Sequence, residues 1–332
     1  MRSIMVCENQ VHPNSVYSEQ TWKNLEELAG LEHQIYDKEA LLADPKGFAD
    51  VDFLFSTWGM LQLTEAEIRS LFPKLQCVFY AAGSVQFFAR PFLNCGVKVF
   101  SAWAANGVPV AEYTVAQILL ANKGFFQLCP MMRRQDDSAY RYKNNYPGNF
   151  GARIGIIGAG MIGKMVIKML KRYQLEVVTF DPFLPEEKAA ELGVKKCSLE
   201  ELFATCQVVS NHLANNPQTV GMLNGKLFAS MPAYATFLNT GRGAQVVEAD
   251  LVEVLTKRPD LTAVLDVTFP EPPEKDHPFY HLPNCFLTPH IAGSSGDEVR
   301  RMAEYMVEEF NRYLRKEPCL YEVTEKMLET MA

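Results

Sequence analysis

The chain has 332 residues, 48% of them hydrophobic and 21% charged, and a formal net charge of −7. That length is more than one hydrophobic core usually fills, so two domains are expected, and the composition excludes a disordered chain. An acidic balance without clustered Lys and Arg excludes a broad nucleic-acid footprint and points to a small-molecule partner.

No stretch approaches the roughly 18 apolar residues of a membrane span, so no membrane partner is expected. The apolar run Ile4–Cys7 is cut off by Glu8, Asn9 and Gln10, too early for a signal peptide, which makes the cytoplasm the default. The cysteines are scattered, with no Cys-x-x-Cys pair and no matching histidine cluster. Buried reduced thiols account for them, and no metal site is expected.

In chain order, residues 1–101 alternate apolar strands with helical stretches: Ile4–Cys7, Thr21–Ala29, His33–Tyr36, Val51–Ser56, Thr64–Leu71, Cys77–Ala81 and Val97–Ser101. This βα series predicts a parallel sheet. Ala111–Asn122 reads as a long helix, and Tyr146-Pro147-Gly148-Asn149 breaks the chain before a second βα series from Arg153 to Thr288. The last segment, Gly296–Lys316, carries Val299, Met302, Met306, Phe310 and Leu314 at steps of three or four, which predicts an amphipathic helix. With the second series already complete, this helix is assigned back to the first domain, which is then chain-discontinuous.

The second series opens on the strand Arg153–Ile157, the turn Gly158-Ala159-Gly160-Met161-Ile162-Gly163, and a helix on which Ile162, Val166, Met169, Leu170 and Tyr173 recur. Gly158 suits a tight turn, Gly160 lets backbone approach a pyrophosphate, and Gly163 lets the helix pack on the strand. Helix N-terminal amides supply the anion site. Glycines also mark ordinary turns, so the next strand decides. Glu176–Phe180 ends at Asp181, about 20 residues on, where an acid that binds the adenosine ribose is expected. An acid there is also a turn former, yet Pro182–Pro185 offers no arginine to a 2′-phosphate, so NAD is expected over NADP.

Three later strand ends carry chemistry. Asn239-Thr240-Gly241-Arg242-Gly243 follows Ala235–Leu238, Asp266 ends Ala263–Asp266 ahead of Glu271, and His290 follows Leu287-Thr288-Pro289. Ligands bind at such ends in open α/β sheets. Arg242 offers a planar fork to a carboxylate and its neighbouring carbonyl, although alone it reads equally as a surface arginine. A histidine beside an acid can give a proton to a keto oxygen while a nicotinamide delivers hydride to the carbon. Singly, His290 reads as structural and Glu271 as solvated loop; their joint spacing favours chemistry.

Taken together, Val110-Ala111-Glu112-Tyr113-Thr114, the glycine turn, Asp181, Ser210-Asn211-His212-Leu213, the Arg242 loop, Leu265-Asp266-Val267, Glu271-Pro272 and Thr288-Pro289-His290-Ile291-Ala292-Gly293 resemble the D-isomer-specific 2-hydroxyacid dehydrogenases over nearly the whole chain. The resemblance implies an α/β fold of two flavodoxin/Rossmann-like lobes with parallel sheets, the first chain-discontinuous, and an active site in the cleft between them. Residues 1–102 plus 293–332 are then the substrate (catalytic) domain and 103–292 the NAD-binding Rossmann domain, with hinge candidates at Ala102–Asn106 and Ala292–Ser295.

It further implies a homodimer built largely on the cofactor lobe, a small 2-oxo or 2-hydroxy acid substrate, and Arg242, Glu271 and His290 as the catalytic set. Met161 and Ile162 are to bind pyrophosphate through their amides, Thr240 and Gly241 join the cofactor set, and Asp266 is to meet the nicotinamide carboxamide. Where the family commonly has Gly-x-Asp, this chain has Ala82–Phe88, in which Gly83, Ser84 and Val85 are expected to hold the substrate carboxylate by their amides.

Ala214-Asn215-Asn216-Pro217 departs from the usual proline after the His-Leu pair, and Gly241 stands where alanine or serine is common. Trp58 and Trp103 fit a pocket lining and core packing equally. Formate oxidisers of the family carry glutamine at the position of Glu271. The alternative to an enzyme is an NAD-sensing binding protein resembling the corepressors of this superfamily, and nothing basic or tail-like supports it.

Overall fold

Residues 1–329 are described by the computed structural model, so residues 330–332 of the expected first lobe lie outside the described residues. The short apolar runs of the first βα series form β1 (Ser3–Val6), β2 (Leu31–Tyr36), β3 (Phe53–Ser56), β4 (Cys77–Tyr80) and β5 (Lys98–Ser101). These are parallel in the order β5-β4-β3-β1-β2, the flavodoxin-like arrangement. Parallel strands are covered on both faces, which is why β1, β3 and β4 are buried along their full length and show no alternation in sequence.

The second series forms β6 (Phe150–Ile157), β7 (Gln174–Phe180), β8 (Lys195–Lys196), β9 (Val208–Asn211), β10 (Thr236–Asn239), β11 (Thr262–Leu265) and β12 (Cys285–Leu287). All pairs are parallel, in the order β12-β11-β10-β9-β6-β7-β8. The chain order reverses between β6 and β9, as in the Rossmann arrangement rather than the flavodoxin one. A final strand, β13 (Glu322–Val323), returns antiparallel to β5.

The chain divides into two compact units, Met1–Gly107 with the segment from Ser294 onward, and Val108–Gly293. The helix expected over Ala111–Asn122 begins at Trp103 and runs to Ala121 with Pro109 inside it, so a proline that reads as a boundary is tolerated there. The helix after the glycine turn ends at Leu170, before the expected Tyr173, because the chain turns directly into β7 and Tyr173 is left 40% exposed. Among the described residues no helix is long and apolar enough to cross a membrane. The cysteines are free but not uniformly buried as expected; Cys129 is exposed.

The helix Arg300–Leu314 covers the first sheet through Met302, Ala303, Met306 and Phe310, preceded by a 3-10 turn at Gly296–Val299. Phe310 meets Phe53, Phe55 and Phe79 edge to face. Leu314 falls outside the stripe, at 41% exposed, and Tyr313 packs on Phe53 and Phe100 instead. Glu309 on this helix is fully buried, takes Arg312 Nη1 at 2.7 Å, and accepts from the amides of Leu320 and Tyr321 at 2.9 and 3.0 Å just ahead of β13. Glu309→Ala strands both amides, while Arg312 keeps Glu308 at 3.7 Å. The substitution is expected to cost about 3 kcal/mol, read as a lower urea midpoint; an unchanged midpoint would contradict the anchor.

Candidate active site

Gly158 sits at φ +85°, and a Cβ there would lie 2.8 Å from the His212 carbonyl oxygen. A Cβ on Gly163 would lie 2.0 Å from the Gly158 carbonyl oxygen, so only glycine lets the helix Met161–Leu170 start against the turn. A Cβ on Gly160 meets nothing within 4 Å, leaving open space above the turn. The first intrahelical bond is Lys164 N to Gly160 O, so Met161, Ile162 and Gly163 keep the free amides of a helix start.

Asp181 at the end of β7 reaches back to this turn. Its Oδ2 accepts from Ala159 N at 2.8 Å, and its Oδ1 accepts from Phe183 N and Leu184 N at 2.8 and 3.1 Å. The turn-former reading and the ribose reading are therefore compatible, since a carboxylate has about four acceptor positions and three are taken.

Arg242 follows β10 on a loop held by buried amides. Asn211 Nδ2 donates to Asn239 Oδ1 at 3.0 Å and to Gln245 Oε1 at 2.5 Å, Gln245 Nε2 donates to the carbonyls of Leu213 and Ala214, and Asn239 Nδ2 donates to Arg242 O. Gly241 is pressed against this network, its Cβ position 2.9 Å from Asn211 Nδ2. Thr240 Oγ1 meets Thr114 Oγ1 at 3.3 Å. The Arg242 guanidinium donates to Gly241 O at 2.8 Å; burial lowers its pKa, while the charge of Glu271 acts in the opposite direction.

Asp266, after β11, is buried and takes three donors: Thr288 Oγ1 at 2.6 Å and Ile291 N at 2.8 Å on Oδ1, and Ala292 N at 2.9 Å on Oδ2. Between these anchors His290 adopts φ +53°, rare outside glycine, with its amide donating to the carbonyls of Asp266 and Thr288. Its Nδ1 lies 2.6 Å from Glu271 Oε1, both side chains remaining substantially exposed. Arg242, Glu271 and His290 are thus gathered at the carboxyl ends of β10, β11 and β12.

In the other unit, Gly83, Ser84 and Val85 follow β4. Ser101 Oγ donates to the carbonyls of Ala82 and Gly83, and among the described residues no protein acceptor takes the amides of Gly83, Ser84 or Val85. Trp58, after β3, is partly buried with its ring edge against His12, and Trp103 packs against Tyr321.

Sequence reasoning missed the supports Asn211, Asn239 and Gln245 and the partly buried His212. Ser210 Oγ meets His212 Nε2 at 2.9 Å, Nδ1 has no hydrogen-bond partner among the described residues, and burial of the ring drops its pKa to about 4. Asn211 and His212 stood in a quoted motif, and a strand ending in two polar residues was the available signal.

Residues 115–292 match the family described as D-isomer specific 2-hydroxyacid dehydrogenase, NAD binding domain, and the chain belongs to that family. It is 31% identical over 223 residues to D-3-phosphoglycerate dehydrogenase of Methanocaldococcus jannaschii, a match covering 67% of this chain and 42% of the relative. To formate dehydrogenase of Neurospora crassa it is 32% identical over 219 residues, covering 63% of this chain and 58% of that protein. The chain therefore spans about half the length of these curated relatives, or less. The crystal structure of a phosphoglycerate oxidoreductase from Rhizobium etli shares the fold with a TM-score of 0.82 at 19% identity, covering 98% of this chain and 99% of that one. The family domain indicates a nicotinamide dinucleotide cofactor.

The glycine contacts separate two substitutions. Gly163→Ala is expected to lower thermal stability by about 1–3 kcal/mol through overpacking, whereas Gly160→Ala leaves the melting temperature in place. Equal melting temperatures for the two variants would contradict the contact at Gly163.

Proposed function

We propose that the chain is an oxidoreductase that reduces a small 2-oxo acid to a D-2-hydroxy acid, or runs the reverse, with Arg242, Glu271 and His290 as catalytic residues. The observation that carries this reading is the 2.6 Å pairing of His290 with Glu271 on the crest that also bears Arg242. An ionised carboxylate only accepts, so Nδ1 of His290 donates to Glu271 and Nε2 is left to hold the working proton.

A reduced nicotinamide held there would supply a hydride, with its electron pair, for the substrate carbonyl carbon. His290 gives its proton to the carbonyl oxygen and is left neutral, to regain a proton from water. Arg242 fits the fork geometry of a carboxylate and adjacent carbonyl, and its partial burial strengthens that pairing. Gly83, Ser84 and Val85 are proposed to take a substrate carboxylate by amides that no acceptor among the described residues occupies.

The residues present fit a dinucleotide. The open side of Gly160 and the amides of Met161 and Ile162 suit a pyrophosphate, with Gly158 and Gly163 shaping the turn, and Thr240 and Gly241 lie at the end of β10, two strands along the same sheet. Asp181 retains one acceptor position for ribose, and its charge disfavours a 2′-phosphate, which supports NAD over NADP. Asp266 retains one acceptor position for the carboxamide.

We also propose a homodimer. The unit Val108–Gly293 exposes Phe125, Met132 and Tyr140 around an apolar cavity of about 340 Å3, which a second copy would cover. Sedimentation at micromolar concentration is expected to give twice the chain mass, and a monomer would overturn this.

A panel of 2-oxo acids with NADH and NADPH, followed by absorbance, tests the activity. Turnover is expected with NADH at a higher kcat/KM, and His290→Ala is expected to lower kcat by on the order of 10²–10⁴-fold with NADH affinity little changed. Silence across the panel with tight NADH binding would favour a sensing protein instead, and full activity in the variant would remove His290 from the mechanism.

A further inference from the structure

We propose that Glu248 is a positioning residue that fixes Glu271 relative to Arg242, an inference that rests on the catalytic roles given above. Glu248 begins the helix Glu248–Lys257 and is joined to Arg242 by a short run through the 3-10 turn Gly243–Gln245. Glu271 lies on a separate segment, the proline-rich loop after β11. Two contacts fasten that loop to the Arg242–Glu248 run.

The first is steric. Gly243 lies against the backbone of Thr268, where a Cβ would come within 2.0 Å of the Thr268 carbonyl carbon. The second is a hydrogen bond: Phe269 N donates to Glu248 Oε1 at 2.8 Å, two residues before Glu271. Within the loop, Thr268 Oγ1 donates to Pro270 O at 2.9 Å, so the segment between the clamp and Glu271 is itself tied.

Glu248 Oε2 faces His277 Nε2 at 3.8 Å, and His277 Nδ1 accepts from Phe279 N, so the far end of the same loop also turns toward this carboxylate. Proline supplies no amide, which makes Phe269 N the donor that Pro270, Pro272 and Pro273 cannot replace. The carboxylate is mostly buried, and burial raises its pKa, so the position asks for an acceptor more than for a charge.

A glutamine at 248 keeps a carbonyl acceptor and a leucine does not. Glu248→Leu is expected to reduce kcat at least about 10-fold, because displacements of about 1 Å at a reacting centre cost on the order of 10²-fold. The KM for the 2-oxo acid and the affinity for NADH are expected to move less than about twofold. Glu248→Gln is expected to retain kcat within about twofold.

Amide hydrogen exchange on the same proteins gives a readout independent of turnover. Exchange over residues 266–277 and 286–293 is expected to accelerate in Glu248→Leu and to match wild type in Glu248→Gln. If Glu248→Leu leaves exchange in both segments and kcat unchanged, or if Glu248→Gln fails as badly as leucine, the positioning role is wrong. If instead wild-type protein turns over no 2-oxo acid, the catalytic reading falls, and the exchange comparison alone still judges the clamp.

Discussion

One buried carboxylate organises the chemistry: Asp266 holds the loop that presents His290. A carboxylate removed from water demands compensation, and Asp266 receives it from Thr288, Ile291 and Ala292 on both sides of the histidine. Charge-assisted hydrogen bonds contribute roughly 1.5–3 kcal/mol each, against about 1–3 kcal/mol for a non-glycine residue held in a sparsely populated backbone region. The three bonds outweigh the strain, so His290 keeps φ +53° without help from a ligand. Tyr113 extends the chain of contacts by meeting Thr288 Oγ1 at 3.1 Å.

The same principle recurs along the crest of the second sheet. Parallel strands end together, and three of the loops beyond them are held by polar side chains. Asn211, Asn239 and Gln245 fix the loop of Arg242, Asp181 fixes the glycine turn, and Asp266 fixes the loop of His290. Beyond these bonds Arg242, Glu271 and the helix-start amides keep outward groups, and Asp181 and Asp266 each keep one acceptor position. The topology adds the place: the strand order reverses between β6 and β9, and the glycine turn follows β6.

Much of this was legible in the chain. Continuous apolar runs gave the parallel strands, and glycine spacing gave the turn, because sterics there leave no alternative to glycine at 158 and 163. The stripe Met302, Met306 and Phe310 gave the last helix, and the completeness of the second series gave its return to the first sheet. Buried polar groups were not legible, since periodicity marks only apolar faces: Glu309 reads as a solvated helix residue, and Gln245 as a loop amide. The start of the helix at Trp103 was hidden by Pro109, whose usual meaning is a boundary. The second role of Asp266, as the anchor of residues 288–292, depends on contacts 22 to 26 residues apart, which no local pattern carries.

The most direct test is a crystal structure with NADH and oxamate, an unreactive relative of a 2-oxo acid. The account predicts pyrophosphate oxygens on the amides of Met161 and Ile162, and His290 Nε2 about 3 Å from the oxamate carbonyl oxygen, with Nδ1 still on Glu271. A pyrophosphate bound elsewhere, or a His290 ring turned so that Nε2 faces no bound atom, would contradict it.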